Sequence, residues 1–136
     1  MTGLGQTRGL LDTSIFIARE SGRELREEDL PEEFAISVVT RAELRLGVLA
    51  AGDSAIRDRR LKTLDSVAGM QVLPIWAGVE REWAAMRAYL VASGGRINAN
   101  DVWIAATAAA YEIPVVTQDH DFYALSGVGG LTVVEV

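Results

Sequence analysis

Gly9-Leu10-Leu11-Asp12-Thr13-Ser14-Ile15-Phe16-Ile17 packs two signals into one short stretch. An apolar run is followed by Asp-Thr-Ser, residue types that start helices, and the apolar residues then resume at once. A strand running straight into a helix is predicted. The same succession recurs downstream. Residues 34–39 (Phe-Ala-Ile-Ser-Val-Val) are β-branched and mostly apolar, and Thr40 opens a helix whose apolar positions Leu44, Leu46, Val48 and Leu49 run to about Ala51. Residues 53–67 set Ile56, Leu61, Leu64 and Val67 against a charged side, which predicts an amphipathic helix. Residues 70–75 read as a third strand, 79–93 as a helix, Gly94-Gly95 as a turn, and 101–112 as an Ala-rich helix. Residues 113–117 and 131–136 read as the last two strands, with Gly127-Val128-Gly129-Gly130 a hairpin-like approach to the final one. The acidic stretch after Arg19, punctuated by Pro31, reads as a solvated helix or loop.

Strands alternating with helices at this spacing predict an α/β fold: a parallel twisted sheet of about five strands, covered by helices on both faces. Runs such as Leu10-Leu11 and Val115-Val116 suit central strands buried on both sides. No repeat, low-complexity tract or linker divides the chain, so residues 1–136 read as a single domain.

The 136 residues are 49% hydrophobic, enough to bury a core without disulfides. There is no Cys and a single His, His120. That composition excludes a Cys/His zinc cage, a thiol nucleophile and a two-histidine ribonuclease mechanism, so any metal must sit on oxygen. The formal charge of −6 argues against a simple basic nucleic-acid-binding module. Residues 19–33 alone carry seven acids and three bases, −4 of that total. Once Asp12, Glu43, Asp101, Asp119 and Asp121 are also set aside, the remainder holds ten bases and seven acids. No apolar run is long enough to span a bilayer, and Arg8 and Asp12 interrupt any leader-like core. A cytoplasmic protein without membrane contact is expected.

The informative acids are those that follow strands. Asp12 ends the first, Glu43 lies one turn past the second, Asp119 is two residues past the fourth, and Asp101 opens the Ala-rich helix. In open parallel sheets, ligands bind in the crevice beyond the carboxyl ends of the strands. Each acid also has a local explanation. Thr40-Arg41-Ala42-Glu43 matches a capping box, Asp12 and Asp101 suit a helix cap or first turn, and Asp121 reads as a cap in the turn Asp119-His120-Asp121. Caps do not need to share one edge, however, and acids held close together repel unless a cation lies between them. Mg²⁺ or Mn²⁺ suits such oxygens, and the chemistry that follows is phosphodiester hydrolysis by an activated water.

Leu10-Leu11-Asp12-Thr13-Ser14-Ile15 resembles the first motif of the PIN-domain ribonucleases, specifically the VapC toxins of bacterial toxin–antitoxin pairs. Val39-Thr40-Arg41-Ala42-Glu43-Leu44 with Gly47 resembles the second motif, Asn100-Asp101-Val102-Trp103-Ile104-Ala105-Ala106 the third, and Val116-Thr117-Gln118-Asp119-His120-Asp121-Phe122 the fourth. The resemblance spans essentially the whole chain, in order. It implies a PIN-like fold and an Mg²⁺-dependent endoribonuclease, with Asp12 and Asp101 as the principal metal ligands. Glu43 and Asp119 would complete the cluster directly or through water. Thr13, Ser14 and Thr117 match positions whose hydroxyls orient acids, water or phosphate. The resemblance further implies an RNA substrate, a homodimer, and a VapB-type antitoxin whose C-terminal segment blocks the acidic pocket.

Other residues read more plainly. Trp76, Trp83 and Trp103 suit a core or interface, Arg57, Arg59 and Arg60 a solvated face, and His120 a solvent-facing loop. Arg41 and Arg45, flanking Glu43, are better placed to meet phosphate, and Arg96 lies on a turn near the site. A phosphoacceptor receiver domain is excluded: it needs an Asp ending the third strand and a Lys ending the fifth, whereas the sole lysine, Lys62, lies mid-helix. A haloacid-dehalogenase-type phosphatase needs a second Asp where Ser14 stands. The alternative left open is a catalytically inactive PIN-like domain that binds RNA or a partner, its acids serving as caps.

Overall fold

The computed structural model describes residues 7–136; residues 1–6, the start of the expected domain and of its N-terminal stretch, lie outside the described residues. Five strands, β1 (Arg8–Leu11), β2 (Glu33–Ser37), β3 (Gln71–Leu73), β4 (Val115–Thr117) and β5 (Val133–Glu135), form one sheet in the order β3-β2-β1-β4-β5. Every pairing is parallel, as the alternation predicts. The connections carry α1 (Thr13–Ser21), α2 (Val38–Leu49), α3 (Ser54–Ser66), α4 (Ala77–Ser93) and α5 (Ala99–Ala110). Short 3-10 helices occupy Glu27–Asp29, His120–Leu125 and Val128–Gly130.

Because successive strand side chains point to opposite faces, each central strand feeds two cores. Leu10, Ala35 and Val115 enter one with Leu73, Met86 and the inner face of α5. Leu11, Ile36 and Val116 enter the other with Ile15, Phe16, Leu44 and Val67. Each fully buried Leu or Ile contributes about 1.5–3 kcal/mol. Its Ala-rich composition lets α5 lie close to the sheet and α4, with Ala105, Ala106 and Ala108 fully buried. Trp83 and Trp103 stack across these two helices at 4.8 Å, matching the core reading, whereas Trp76 stands half exposed before α4. Among the described residues, no helix is long and apolar enough to cross a membrane.

Boundaries differ from the sequence reading where two cap-type residues compete. β2 stops at Ser37 and α2 begins at Val38, because the Ser37 Oγ accepts from the Thr40 N–H at 3.0 Å. Likewise α5 begins at Ala99 under an Asn98 cap, so Asp101 sits in the first turn instead of opening the helix. β4 starts at Val115 since Pro114 has no N–H for the ladder; its carbonyl still accepts from Leu10 N at 2.9 Å. The hairpin-like reading of residues 127–130 is corrected. Gly127, Gly129 and Gly130 adopt left-handed φ values of 85, 63 and 80°, and Gly127 N donates to Leu131 O at 2.8 Å. This tight turn delivers β5 parallel to β4.

From β1 the chain builds outward to β2 and β3 on one side, while β4 and β5 are added on the other. The strand order therefore reverses between β1 and β4, and a crevice opens at their carboxyl ends. Asp12 N donates to Val116 O at 2.9 Å, closing the β1–β4 ladder at the lip of that crevice.

Candidate active site

Asp12 ends β1 and caps α1 with extended backbone. Its side chain is almost fully buried and accepts from Ser14 N at 3.3 Å, Ser14 Oγ at 2.6 Å and Thr117 Oγ1 at 2.7 Å. All three bonds land on Oδ2, so Oδ1 keeps its lone pairs for another partner. The two hydroxyls are themselves fixed. Gln118 N donates to Ser14 Oγ at 2.9 Å and Asp119 N to Thr117 Oγ1 at 2.8 Å, which leaves each hydroxyl proton directed at Asp12. Burial pushes the Asp12 carboxyl above its ordinary range, and the Ser14 and Thr117 bonds offset this only in part.

Glu43 projects from α2 toward the same edge. Thr13 Oγ1 donates to Oε1 at 2.6 Å and Asn100 Nδ2 to Oε2 at 3.3 Å. The Thr13 oxygen is also 3.0 Å from Thr40 Oγ1. Thr13 has one proton, which the Glu43 carboxylate and the Thr40 hydroxyl oxygen share as acceptors, the carboxylate being the stronger. The capping-box reading of Thr40 and Glu43 is thereby corrected: Ser37 is the cap, and Glu43 is held by α1 and α5.

Asp101 is half-buried in the first turn of α5. Its carboxyl is pushed up to about 7, first by burial and then by the charges of Asp12, Asp119, Glu43 and Asp121. Five acids from four segments thus share one field. Asp119 caps the 3-10 helix His120–Leu125, its Oδ1 accepting from Asp121 N at 2.9 Å. Asp121 is therefore not the cap expected for that turn; it is exposed and adds to the crowd around Asp101. Among the described residues, none of these acids forms a salt bridge with Arg, Lys or His.

Two contributors carry no role in the sequence reading. Asn100 appears there only as a neighbour of Asp101, and Thr40 only as a cap. A helix start facing the second motif was the available signal for Asn100; Thr40, fully buried, gave none. Arg41 is half-buried and Arg45 exposed on α2, flanking Glu43, and Arg96 is exposed ahead of α5. Arg60 leaves the expected solvated face, donating from Nη1 to Gly47 O at 2.7 Å and so tying α3 to α2. A groove of about 420 Å³ leads from Thr13, Glu43 and Asn100 outward past Ile17 and Leu46.

Among the described residues, no three Asp, Glu, His or Cys side chains already stand as a ready-made metal cage. Mg²⁺ does not need one: it characteristically takes one or two carboxylates and completes its shell with water and substrate oxygens. An all-oxygen donor set, a free Oδ1 on Asp12 and a crowd of acids without basic partners fit such a hard cation.

The PIN domain family model matches residues 9–128. Ribonuclease VapC5 of Mycobacterium tuberculosis is 52% identical over 128 residues, spanning 94% of this chain and 95% of that protein. Ribonuclease VapC4 of the same organism is 40% identical, spanning 93% of this chain and 97% of that protein. The crystal structure of VapBC-5, a member of the VapBC family of toxin-antitoxin systems from M. tuberculosis, superimposes with a TM-score of 0.90 at 48% identity. That match covers 96% of this chain and 99% of the other.

Proposed function

The chain belongs to the PIN-domain family, among its VapC members, and on that footing we propose that it is a divalent-cation-dependent endoribonuclease, the toxin of a toxin–antitoxin pair. The observation that carries the reading is the gathering of Asp12, Glu43, Asp101 and Asp119 at the β1–β4 crevice without a salt-bridged basic partner among the described residues. Repulsion of this kind is tolerated in a fold when a cation relieves it in the working state.

Asp12 and Asp101 would hold the ion. When bound, Mg²⁺ lowers the pKa of a water and offsets charge on the scissile phosphate. Ser14 and Thr117, by fixing Oδ2 of Asp12, keep its Oδ1 in one direction. Thr13 and Asn100 hold the two oxygens of Glu43, each of which retains a lone pair that orients water. Asp119, its Oδ1 held by the helix cap, would complete the cluster directly or through water. Arg41 and Arg45, which flank Glu43 on α2, would meet phosphates of a bound RNA and so help offset the negative charge of the whole molecule.

The proposal includes two protein partners. An antitoxin segment lying along the groove past Ile17 and Leu46, 49% and 64% exposed, would end at Glu43 and Asn100 and so cover the acids. A second copy of the chain would cover exposed apolar side chains on α4 such as Tyr89 and Val91.

The test is incubation of purified protein with RNA in Mg²⁺, in chelator, and as the Asp12→Asn variant. Cleavage in Mg²⁺ alone is expected, with Asp12→Asn lowering kcat by at least 100-fold, the scale of a few kcal/mol in the barrier. Cleavage that persists in chelator or in the variant removes the mechanism. An intact, folded protein that binds RNA without cutting it would favour the inactive binding domain.

A further inference from the structure

The 3-10 helix that begins just after Asp119 is a short element with an unusual division of its surface. With three residues per turn, positions i and i+3 eclipse one another. Phe122 and Leu125 share the fully buried face and anchor the helix in the core. Asp121 lies on a second face and adds to the charge felt by Asp101. His120 and Tyr123 share the third. Their rings meet at 4.9 Å, tilted by 48°, and His120 Nδ1 lies 3.2 Å from Glu135 Oε1. The pair contributes little to the core: the His120 side chain is 81% exposed and Tyr123 is 40% exposed. At about 2 Å of rise per residue, the Tyr123 backbone lies about 8 Å along the helix from that of Asp119, roughly the span of one nucleotide.

The charge of the chain makes such a surface useful. With its site lined by acids, the protein offers a polyanion little electrostatic attraction at the site itself. Stacking on aromatic rings is indifferent to that charge, and it requires a base free of its duplex. Tyr123 is also the exposed aromatic carried by an element that starts at a site carboxylate; Trp76 and Tyr89 belong to α4 and its approach.

Resting on the ribonuclease reading above, we propose that the His120–Tyr123 pair is a base-stacking subsite, which takes an unpaired nucleobase flanking the scissile phosphate and so directs the protein to single-stranded or loop RNA. Glu135 restrains the His120 ring, which meets the Tyr123 ring at an angle and walls one side of the surface on which the base would lie.

The experiment uses the full chain and a single-stranded RNA of mixed sequence carrying one internal 2-aminopurine, whose fluorescence is quenched on stacking. In an Asp101→Asn background, binding is expected to quench the probe, and Tyr123→Ala and His120→Ala are each expected to abolish the quench while Tyr123→Phe keeps it. In the otherwise unmodified protein, Tyr123→Ala is expected to raise KM about tenfold with kcat and Tm unchanged, the order expected for one stacked base. Tyr123→Phe should restore KM, and duplex RNA should be a poor competitor. An unchanged KM, a fall of kcat and Tm together, or duplex RNA competing as well as single strand overturns the proposal. Absence of cleavage by the unmodified protein while the Tyr123-dependent quench persists would count against the nuclease reading and in favour of the subsite.

Discussion

Asp101 carries the largest electrostatic consequence of the fold. Its carboxyl, displaced from an ordinary value of 3.8 to about 7, holds its proton in the folded chain at pH values where the unfolded chain has lost it. The stability this gives is therefore present below about pH 4 and is lost as pH rises through 7. Without divalent cations, the melting temperature should fall across that window. Asp101→Asn, which keeps the side-chain shape and removes the charge, should flatten the fall and melt higher than the unmodified chain at pH 8. A difference of roughly 3–6 °C corresponds to about 1 kcal/mol in a domain of this size. Thermal denaturation from pH 4 to 8 in chelator reads it directly; a variant that melts lower at pH 8 would make Asp101 an ordinary first-turn acid stabilised by the helix dipole. The gathering of Asp12, Glu43 and Asp119 at one edge was legible from their places after strands, and that of Asp101 from its place at the start of the helix feeding β4. The bonds that aim them were not, since Thr13 to Glu43 and Thr117 to Asp12 join residues 30 and 105 positions apart.

Helix starts explain much of what the sequence left undecided about the site. Ser37 and Thr40 are both cap-type residues three positions apart, as are Asn98 and Asp101. In each pair the upstream residue takes the cap, and the downstream one turns into the helix, where its side chain serves the site. Local propensity ranks the members of each pair about equally. The choice is made by where β2 ends and by how α5 meets α2, which are tertiary facts. Ser37→Ala should accordingly destabilise the protein by about 1 kcal/mol, because the Thr40 N–H loses its acceptor at the buried start of α2. Urea denaturation followed by circular dichroism measures this, and a loss under a few tenths of a kcal/mol would move the cap back to Thr40. The strands and helices themselves were legible because their apolar periods are clear. Their ends shifted by no more than two residues, and Gly127–Gly130 misled because a glycine-rich turn looks alike before parallel and antiparallel strands.

At the scale of the molecule, the chain builds outward in both directions from β1, and the reversal of strand order creates the crevice that all the acids border. Two cores hold that arrangement rigid on either face of the sheet, so the cost of crowding carboxylates is met by burial elsewhere. Net charge alone argued against nucleic acid, and its distribution reverses that inference, since the excess acids divide between residues 19–33 and the site. The central claim is that Asp12 and Asp101 hold one hard cation between them. Crystals grown in saturating Mn²⁺ and measured at the manganese edge test it most directly. An anomalous peak is expected within about 2.0–2.6 Å of a carboxylate oxygen of each, the distance range of hard cations on oxygen ligands. A saturating-Mn²⁺ map with no peak between Asp12 and Asp101, or with the ion held elsewhere, would contradict it.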